Sequence, residues 1–463
     1  MTLSASLYIL LISFFASITF NGFFRSIAKK NEILIDLPDK SRKFHKRATP
    51  LTGGISIFAA CLLSAFLLEG LSDLTGIHVE TNVNNEKLLK DNNFFIDKII
   101  SKKYKIAGKN YETLVKTDQE SDSISIDVVL EDGSVESLKI TPTEDGNLTV
   151  LLPDNSLSSY KYQDGEVINI SDINEQRFKP LGIENFGIKI GIFSISMLFC
   201  AFLIIIFMLV DDIRGIKASY RLIFQISIVL LMIFLSGESL KSLGNLLGSG
   251  EISLGFFSVI FTVFCVVGLI NAFNMSDGLN GICASLGLMP LIMIFFYGHA
   301  YYGLLIPIGA LIGFLSYNLG YFGEKRRVFL GDTGSNCLGF LLAMTCIELS
   351  QNGQSMHAVT ALWLVAIPML DCVGVMTSRL LKGIQPFRPG RDHLHYKLLD
   401  SGFSGGNILL IFIVSSTALA AIGLQLNVIY PDKEYISFYS FVLFSVAYYV
   451  ITKYTFKNNA QPI

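Results

Sequence analysis

The chain has 463 residues, of which 51% are hydrophobic and only 16% charged, with a formal charge of −2 and a mean hydropathy of +0.52. That balance excludes an ordinary soluble globule, and it leaves a polytopic membrane protein. The near-neutral charge conceals two parts, because residues 73–187 hold 21 acidic against 12 basic residues while the remainder is net positive.

A bilayer core about 30 Å thick needs roughly 20 helical residues to cross it. By that ruler the chain offers about eleven spans: 6–24, 54–72, 188–210, 222–236, 256–273, 282–297, 300–319, 336–349, 358–378, 406–426 and 436–452. The first is read as a retained span, since its basic residues follow the apolar run; a cleaved signal peptide is the alternative. Lysine and arginine collect in 25–47, 211–221, 320–335, 379–405 and the tail from Lys453, whereas the opposite short loops hold only Lys241 and Lys433. The basic bias predicts an amino terminus outside and a carboxyl terminus in the cytoplasm. The expected architecture is an all-α polytopic membrane protein of about 11 transmembrane helices with a small inserted extracytoplasmic β-rich (α+β) domain. Its parts are 1–72 (two spans and the first cytoplasmic loop), 73–187 (the soluble insert) and 188–463 (nine spans with cytoplasmic loops).

Within the insert, residues 86–103 carry an amphipathic helical pattern, and alternating runs follow at Ser123–Leu130, 135–140 and 148–152. Asp132-Gly133, Asp145-Gly146, Asp154-Asn155 and Asp164-Gly165 punctuate these runs, which predicts a β-meander. Its carboxylates read as a solvated surface, with partner docking as the alternative. All seven cysteines fall in predicted spans without metal-ligand spacing, so neither a disulfide framework nor a zinc site is expected.

Five polar clusters interrupt the apolar runs at 36–54, 211–221, 271–281, 326–335 and 379–402, all on the same predicted face. Asp211 and Asp212 end the third span; adjacent carboxylates at a membrane boundary are costly unless paired or ligated, and a hard cation such as Mg²⁺ suits them better than simple helix-end solvation. Asp332, in Gly331-Asp332-Thr333-Gly334, fits a third cation ligand or a helix N-cap. Asn274 and Asp277, in Asn271-Ala-Phe-Asn-Met-Ser-Asp-Gly, suit recognition of a base or sugar, with polar capping as the bland reading. Arg388, Arg391, His393 and His395 offer guanidinium forks for phosphate and imidazoles beside it. Lys43 and His45 in the first loop serve topology and, equally, an anionic headgroup.

In this order the clusters resemble the polyprenyl-phosphate N-acetylhexosamine-1-phosphate transferases, most closely their WecA/TagO branch, over about 1–72 and 188–440. The resemblance implies transfer of a sugar-1-phosphate from a UDP-N-acetylhexosamine to a polyprenyl phosphate with Mg²⁺ (Mn²⁺ as the alternative ion) and release of UMP. It implies Asp332 as a magnesium ligand, Asp211 and Asp212 as essential carboxylates and further ligands, and Asn274 and Asp277 as nucleotide-sugar contacts. His393, His395 and Arg391 match the family's histidine loop over the diphosphate, and Lys43 with His45 its first-loop basic motif. Departures are Asn280 and Gly390, where aspartate is common, Tyr396, where histidine is common, and the insert itself. The branch favours UDP-GlcNAc over the muramoyl-pentapeptide substrate, and a bacterial cytoplasmic membrane enzyme priming O-antigen, enterobacterial common antigen or teichoic acid type polymers. A homodimer is left open and no nucleic-acid partner is expected. A transporter would place its charges near mid-bilayer in repeated halves, and an inactive scaffold would account for Asn280 and Tyr396; both stand as rival readings.

Overall fold

The computed structural model describes residues 3–38, 47–75, 193–297, 302–352, 356–386 and 390–455, together with strands 111–118, 123–130, 135–142, 148–151, 157–163, 166–169 and 189–190. The chain forms two compact units, Met1–Val79 with Asn185–Ile463, and Glu80–Glu184.

The smaller unit contains a six-stranded antiparallel meander of β3 (Tyr111–Asp118), β4 (Ser123–Leu130), β5 (Val135–Pro142), β6 (Leu148–Leu151), β7 (Leu157–Gln163) and β8 (Glu166–Asn169), paired in sequence order. Each of the four Asp-Gly or Asp-Asn pairs falls between two successive strands, as a hairpin connection requires. The helix expected at 86–103 lies outside the described residues.

The larger unit is helical: α1 (Leu3–Asn31), α2 (Gly53–Thr75), α3 (Ile195–Arg214), α4 (Ala218–Ser236), α5 (Ser258–Ser276), α6 (Ile282–Tyr297), α7 (Leu305–Asn318), α8 (Gly331–Ile347), α9 (Ala358–Leu364), α10 (Ala366–Leu381), α11 (Leu394–Asp400), α12 (Gly405–Ile429) and α13 (Glu434–Thr455). Each of the eleven predicted apolar segments contains helix, although 188–210 opens in the paired strands Lys189–Ile190 and Phe193–Ser194 and becomes helical only at Ile195, and the chain is a multi-pass membrane protein. Among the described residues six helices are long and apolar enough to cross a bilayer alone, and a seventh span is counted if the bent pair α9–α10 crosses as one; Gly53–Leu67, α6 and α7 are shorter apolar helices.

The predicted straight span 358–378 is broken, with α9 and α10 meeting at 80°. Val365 leaves helical geometry (φ −111°, ψ 18°), and Pro368 follows three residues later. Proline cannot donate to the carbonyl of Leu364, so it is tolerated in the first turn of a new helix but not in the middle of a continuous one.

Helix α8 is the centre of the unit. Every residue in it is buried except Asp332 and Leu341, as expected for a helix that is surrounded by other helices rather than by lipid or water. Glycine permits the close crossings that hold it there: Gly54 of α2 lies against Gly334, and Gly339 against the backbone of Ile270 in α5. On the far side Gly309 and Gly313 of α7 admit α1, whose Ser17 hydroxyl donates to the Ala310 carbonyl at 2.7 Å. Small residues four apart thus dock α1 on α7 where bulky side chains would hold the backbones apart.

Candidate active site

The end of α8 that carries Asp332 is where the polar clusters meet. The first cluster arrives through backbone pairing: β1 (Ile35–Asp36) pairs with β2 (Thr49–Pro50), the Phe329 amide donates to the Pro50 carbonyl at 2.8 Å, and the Gly53 amide donates back to Phe329 at 2.9 Å. Gly331 has φ +74°, a left-handed geometry that favours glycine, and it turns the chain into α8 with the Asp212 carboxylate beside it.

The second cluster supplies both carboxylates and their counter-charge. Asp211 is buried and fully engaged, accepting from the Ile216 amide at 2.6 Å and from Arg221 Nη1 at 3.1 Å. The same Nη1 donates to Asp332 Oδ2 at 2.8 Å, so one guanidinium joins the end of α3 to the start of α8. Asp212 Oδ2 accepts from the Thr333 hydroxyl at 2.7 Å. Asp332 lies in the first turn of α8, where the helix dipole and unpaired amides favour negative charge.

Below Asp332 a chain of amides fixes three helices. Asn336 Nδ2 donates to the Asp332 carbonyl (2.7 Å), Gln225 Nε2 to Asn336 Oδ1 (2.7 Å), and Asn271 Nδ2 to Gln225 Oε1 (2.8 Å). Asn274, one turn along α5 from Asn271, donates to Ser335 Oγ at 3.2 Å, three residues from Asp332 on α8. Asp277 caps the end of α5. Solvent reaches it, yet atoms crowd around it, and desolvation followed by the charges of Asp332 and Asp212 pushes its carboxyl up to about 8.

The fifth cluster folds onto the third. The His395 ring is wholly buried against Gly278, so closely that a β-carbon there would collide with Nε2, and among the described residues neither ring nitrogen has a hydrogen-bond partner. Burial lowers its pKa to about 4, which makes it a neutral ring. His393 lies parallel to it at 5.9 Å, and the tilted Tyr396 ring packs 4.1 Å from it. Arg391 donates to Asp400 at 2.9 Å and sits 5.4 Å from the centre of the Tyr396 ring. Buried Arg379 pairs with Asp392 and donates to the Pro386 carbonyl at 2.7 Å; it holds the Asp392 carboxyl below the usual range although burial pushes the other way. A β-carbon on Gly390 would stand 2.6 Å from Arg379 Nη2 and 2.7 Å from Asp392 Oδ1, so the ion pair explains why this chain has glycine there.

Asp211, Asp212, Asp332, Asn274 and Asp277 thus share one junction, with His393 and His395 joined to it through Gly278. Arg391 is turned to Asp400, while Lys43 and His45 lie outside the described residues. Among the described residues no three His, Cys, Asp or Glu side chains could by themselves hold a metal ion. The spacing of the sequence gave no role to Arg221, Arg379 or Asp371, although a lone aspartate inside the apolar run Met369-Leu370-Asp371-Cys372 is itself a signal, since a charge in a span is costly to keep.

The family profile described as glycosyl transferase family 4 matches residues 194–350. The chain is 34% identical over 234 residues to the undecaprenyl-phosphate alpha-N-acetylglucosaminyl 1-phosphate transferase of Yersinia pestis, a match covering 48% of this chain and 63% of that protein. The protein of the same name from Escherichia coli K12 is 32% identical over 259 residues, covering 54% of this chain and 70% of the relative. The one from Haemophilus influenzae is 34% identical over 266 residues, covering 55% and 74%. The chain belongs to this family. The profile includes Asp211, Asp212, Arg221, Asn274, Asp277 and Asp332, which are the residues that meet at the start of α8; the histidine segment lies beyond its end.

Proposed function

We propose that the protein transfers N-acetylglucosamine-1-phosphate from UDP-GlcNAc to undecaprenyl phosphate, leaving UMP, as the membrane step that begins a cell-surface polysaccharide. The observation that carries this reading is the Arg221 bridge between Asp211 and Asp332 at the mouth of a buried helix, with Asp212, Asn274 and Asp277 around it. Two anionic substrates must meet, one water-borne and one anchored in lipid, and a polar recess at the end of membrane helices serves both.

A phosphate monoester has its second pKa near 6, so the acceptor is largely dianionic at neutral pH and needs little help from a base. Neutralising and aligning the anions is the harder task. The donor set suits a divalent cation, because the carboxyl groups of Asp211, Asp212, Asp277 and Asp332 share the junction and hard cations prefer oxygen ligands. Mg²⁺ needs only one or two protein carboxylates and completes its shell with water and phosphate oxygens, and Asp212 and Asp332 suit that role. When bound, it would neutralise diphosphate charge in the recess. Arg221 contributes fixed positive charge, Asp211 holds it in place, Asn274 presents an amide, and neutral His395 packs the histidine segment onto Gly278 without adding charge. Both oxygens of Asp211 and one oxygen of Asp212 are already hydrogen-bonded, which favours direct attack by the lipid phosphate over a covalent aspartyl intermediate.

The same reading has eleven spans in a bacterial cytoplasmic membrane, the amino terminus and the β-meander outside, and the site on the cytoplasmic face. The basic residues beside the clusters support that orientation. Purified protein with Mg²⁺, polyprenyl phosphate and labelled UDP-GlcNAc should give a labelled lipid and UMP in equal amounts. No labelled lipid from any UDP-N-acetylhexosamine would refute the proposal, and a phosphorylated enzyme trapped with UDP-GlcNAc alone would refute direct attack.

A further inference from the structure

Asp371 is buried in α10, and both of its carboxylate oxygens point at the histidine segment. Oδ2 meets His393 Nδ1 at 2.8 Å, and Oδ1 accepts from the Leu394 amide, also at 2.8 Å. Each partner side chain is nearly sealed, His393 at 6% and Asp371 at 7% exposure, so the pair is little screened by solvent. Eight residues further along α10, Arg379 grips Asp392. Three successive residues, 392 to 394, are therefore fixed to one helix.

The two contacts of Asp371 do different things. Helix α11 is only seven residues long, and its N-cap, His393, makes no side-chain capping bond of its own. A helix that short is unstable alone, and the amides of its first turn need acceptors. Oδ1 supplies one from another helix. Oδ2 acts on the ring: an ionised carboxylate can only accept, so Nδ1 carries a proton, and in the neutral ring Nε2 then keeps its lone pair. Among the described residues Nε2 of His393 makes no protein hydrogen bond, and the ring lies parallel to that of His395, which packs on Gly278 beside Asp277.

We propose that Asp371 is a positioning residue that fixes His393 in the tautomer with a bare Nε2 facing substrate, so that one buried carboxylate sets both the place and the proton of the histidine. This deepens the proposed transferase reading and rests on it. Aspartate is suited to both tasks and asparagine to one. An asparagine at 371 can still accept from the Leu394 amide, but its NH₂ presents a donor to Nδ1 and drives the ring to the opposite tautomer.

The test uses purified full-length enzyme with polyprenyl phosphate and UDP-GlcNAc, and compares wild type, Asp371→Asn, Asp371→Ala, His393→Ala and the double variant Asp371→Asn/His393→Ala. Removing the group that orients a functional histidine typically costs about 10- to 100-fold. Asp371→Asn should therefore lose kcat on that scale, with KM for both substrates within about twofold and a wild-type melting temperature, and Asp371→Ala should lose both kcat and thermal stability. The double variant should be no slower than His393→Ala alone, because Asp371 acts only through that ring. Wild-type kcat in Asp371→Asn, or losses that multiply in the double variant, overturn the positioning role while the transferase reading stands. A wild-type enzyme that forms no labelled lipid overturns the transferase reading and the positioning role with it.

Discussion

Replacing Gly54 by alanine should damage catalysis more than stability. A β-carbon at this position would stand 2.5 Å from the Gly334 α-carbon and closer still to its amide nitrogen, and both are backbone atoms that cannot swing aside. Ordinary contact begins at 3.4 Å, so α2 and α8 must separate by about 1 Å. Overpacking of this kind costs about 1–3 kcal/mol, which a large helical membrane unit can survive. The consequence for rate is steeper. Gly334 is two residues from Asp332 and next to Thr333, which holds Asp212, and a misplacement of about 1 Å in reacting groups costs on the order of 100-fold. The assay pairs a thermal melt in detergent with initial rates of lipid labelling. Gly374→Ala is the control, because nothing lies within 4 Å of its added carbon. Wild-type turnover in Gly54→Ala would refute the argument that this glycine crossing sets the register of the carboxylates.

Asp332→Asn should abolish turnover while the protein stays folded in the membrane, checked by activity and by size-exclusion profile; undiminished activity removes Asp332 from the site. Arg221→Lys keeps a charge but places one ammonium where the guanidinium now bridges Asp211 and Asp332, so kcat/KM should fall at least tenfold, and a wild-type value would show that the bridge is incidental. His395 gives a pH prediction. Its pKa is about 4 in the folded protein against 6.5 normally, so below pH 6.5 the unfolded chain takes up a proton that the folded chain refuses. Stability should be flat above pH 6.5 and fall as pH drops towards 4, by up to about 3 kcal/mol from this group. Melting temperatures from pH 7 to 5 should show a shallower slope in His395→Gln, and parallel slopes would contradict the assignment.

The membrane class, the approximate place of the apolar helices in the larger unit and the β-meander were legible from one-dimensional patterns, because apolar length and period-two alternation are local properties of the chain, whereas the short polar helix Leu394–Asp400 was not. The Asp-Gly pairs marked the hairpins for the same reason. Local pattern failed where a neighbour decides. Residues 358–378 are apolar enough for one span, and only the 80° break at Val365 shows that Pro368 opens a new helix. The polar clusters announced a site, since charges at the ends of apolar runs are expensive to keep. Which charges face each other was decided by packing: Arg221 reaches across 111 residues to Asp332, and Asp371 reaches 22 residues to His393. No spacing rule encodes such distances, because they depend on glycine contacts that bring helix backbones together and on the direction in which a buried side chain leaves its helix.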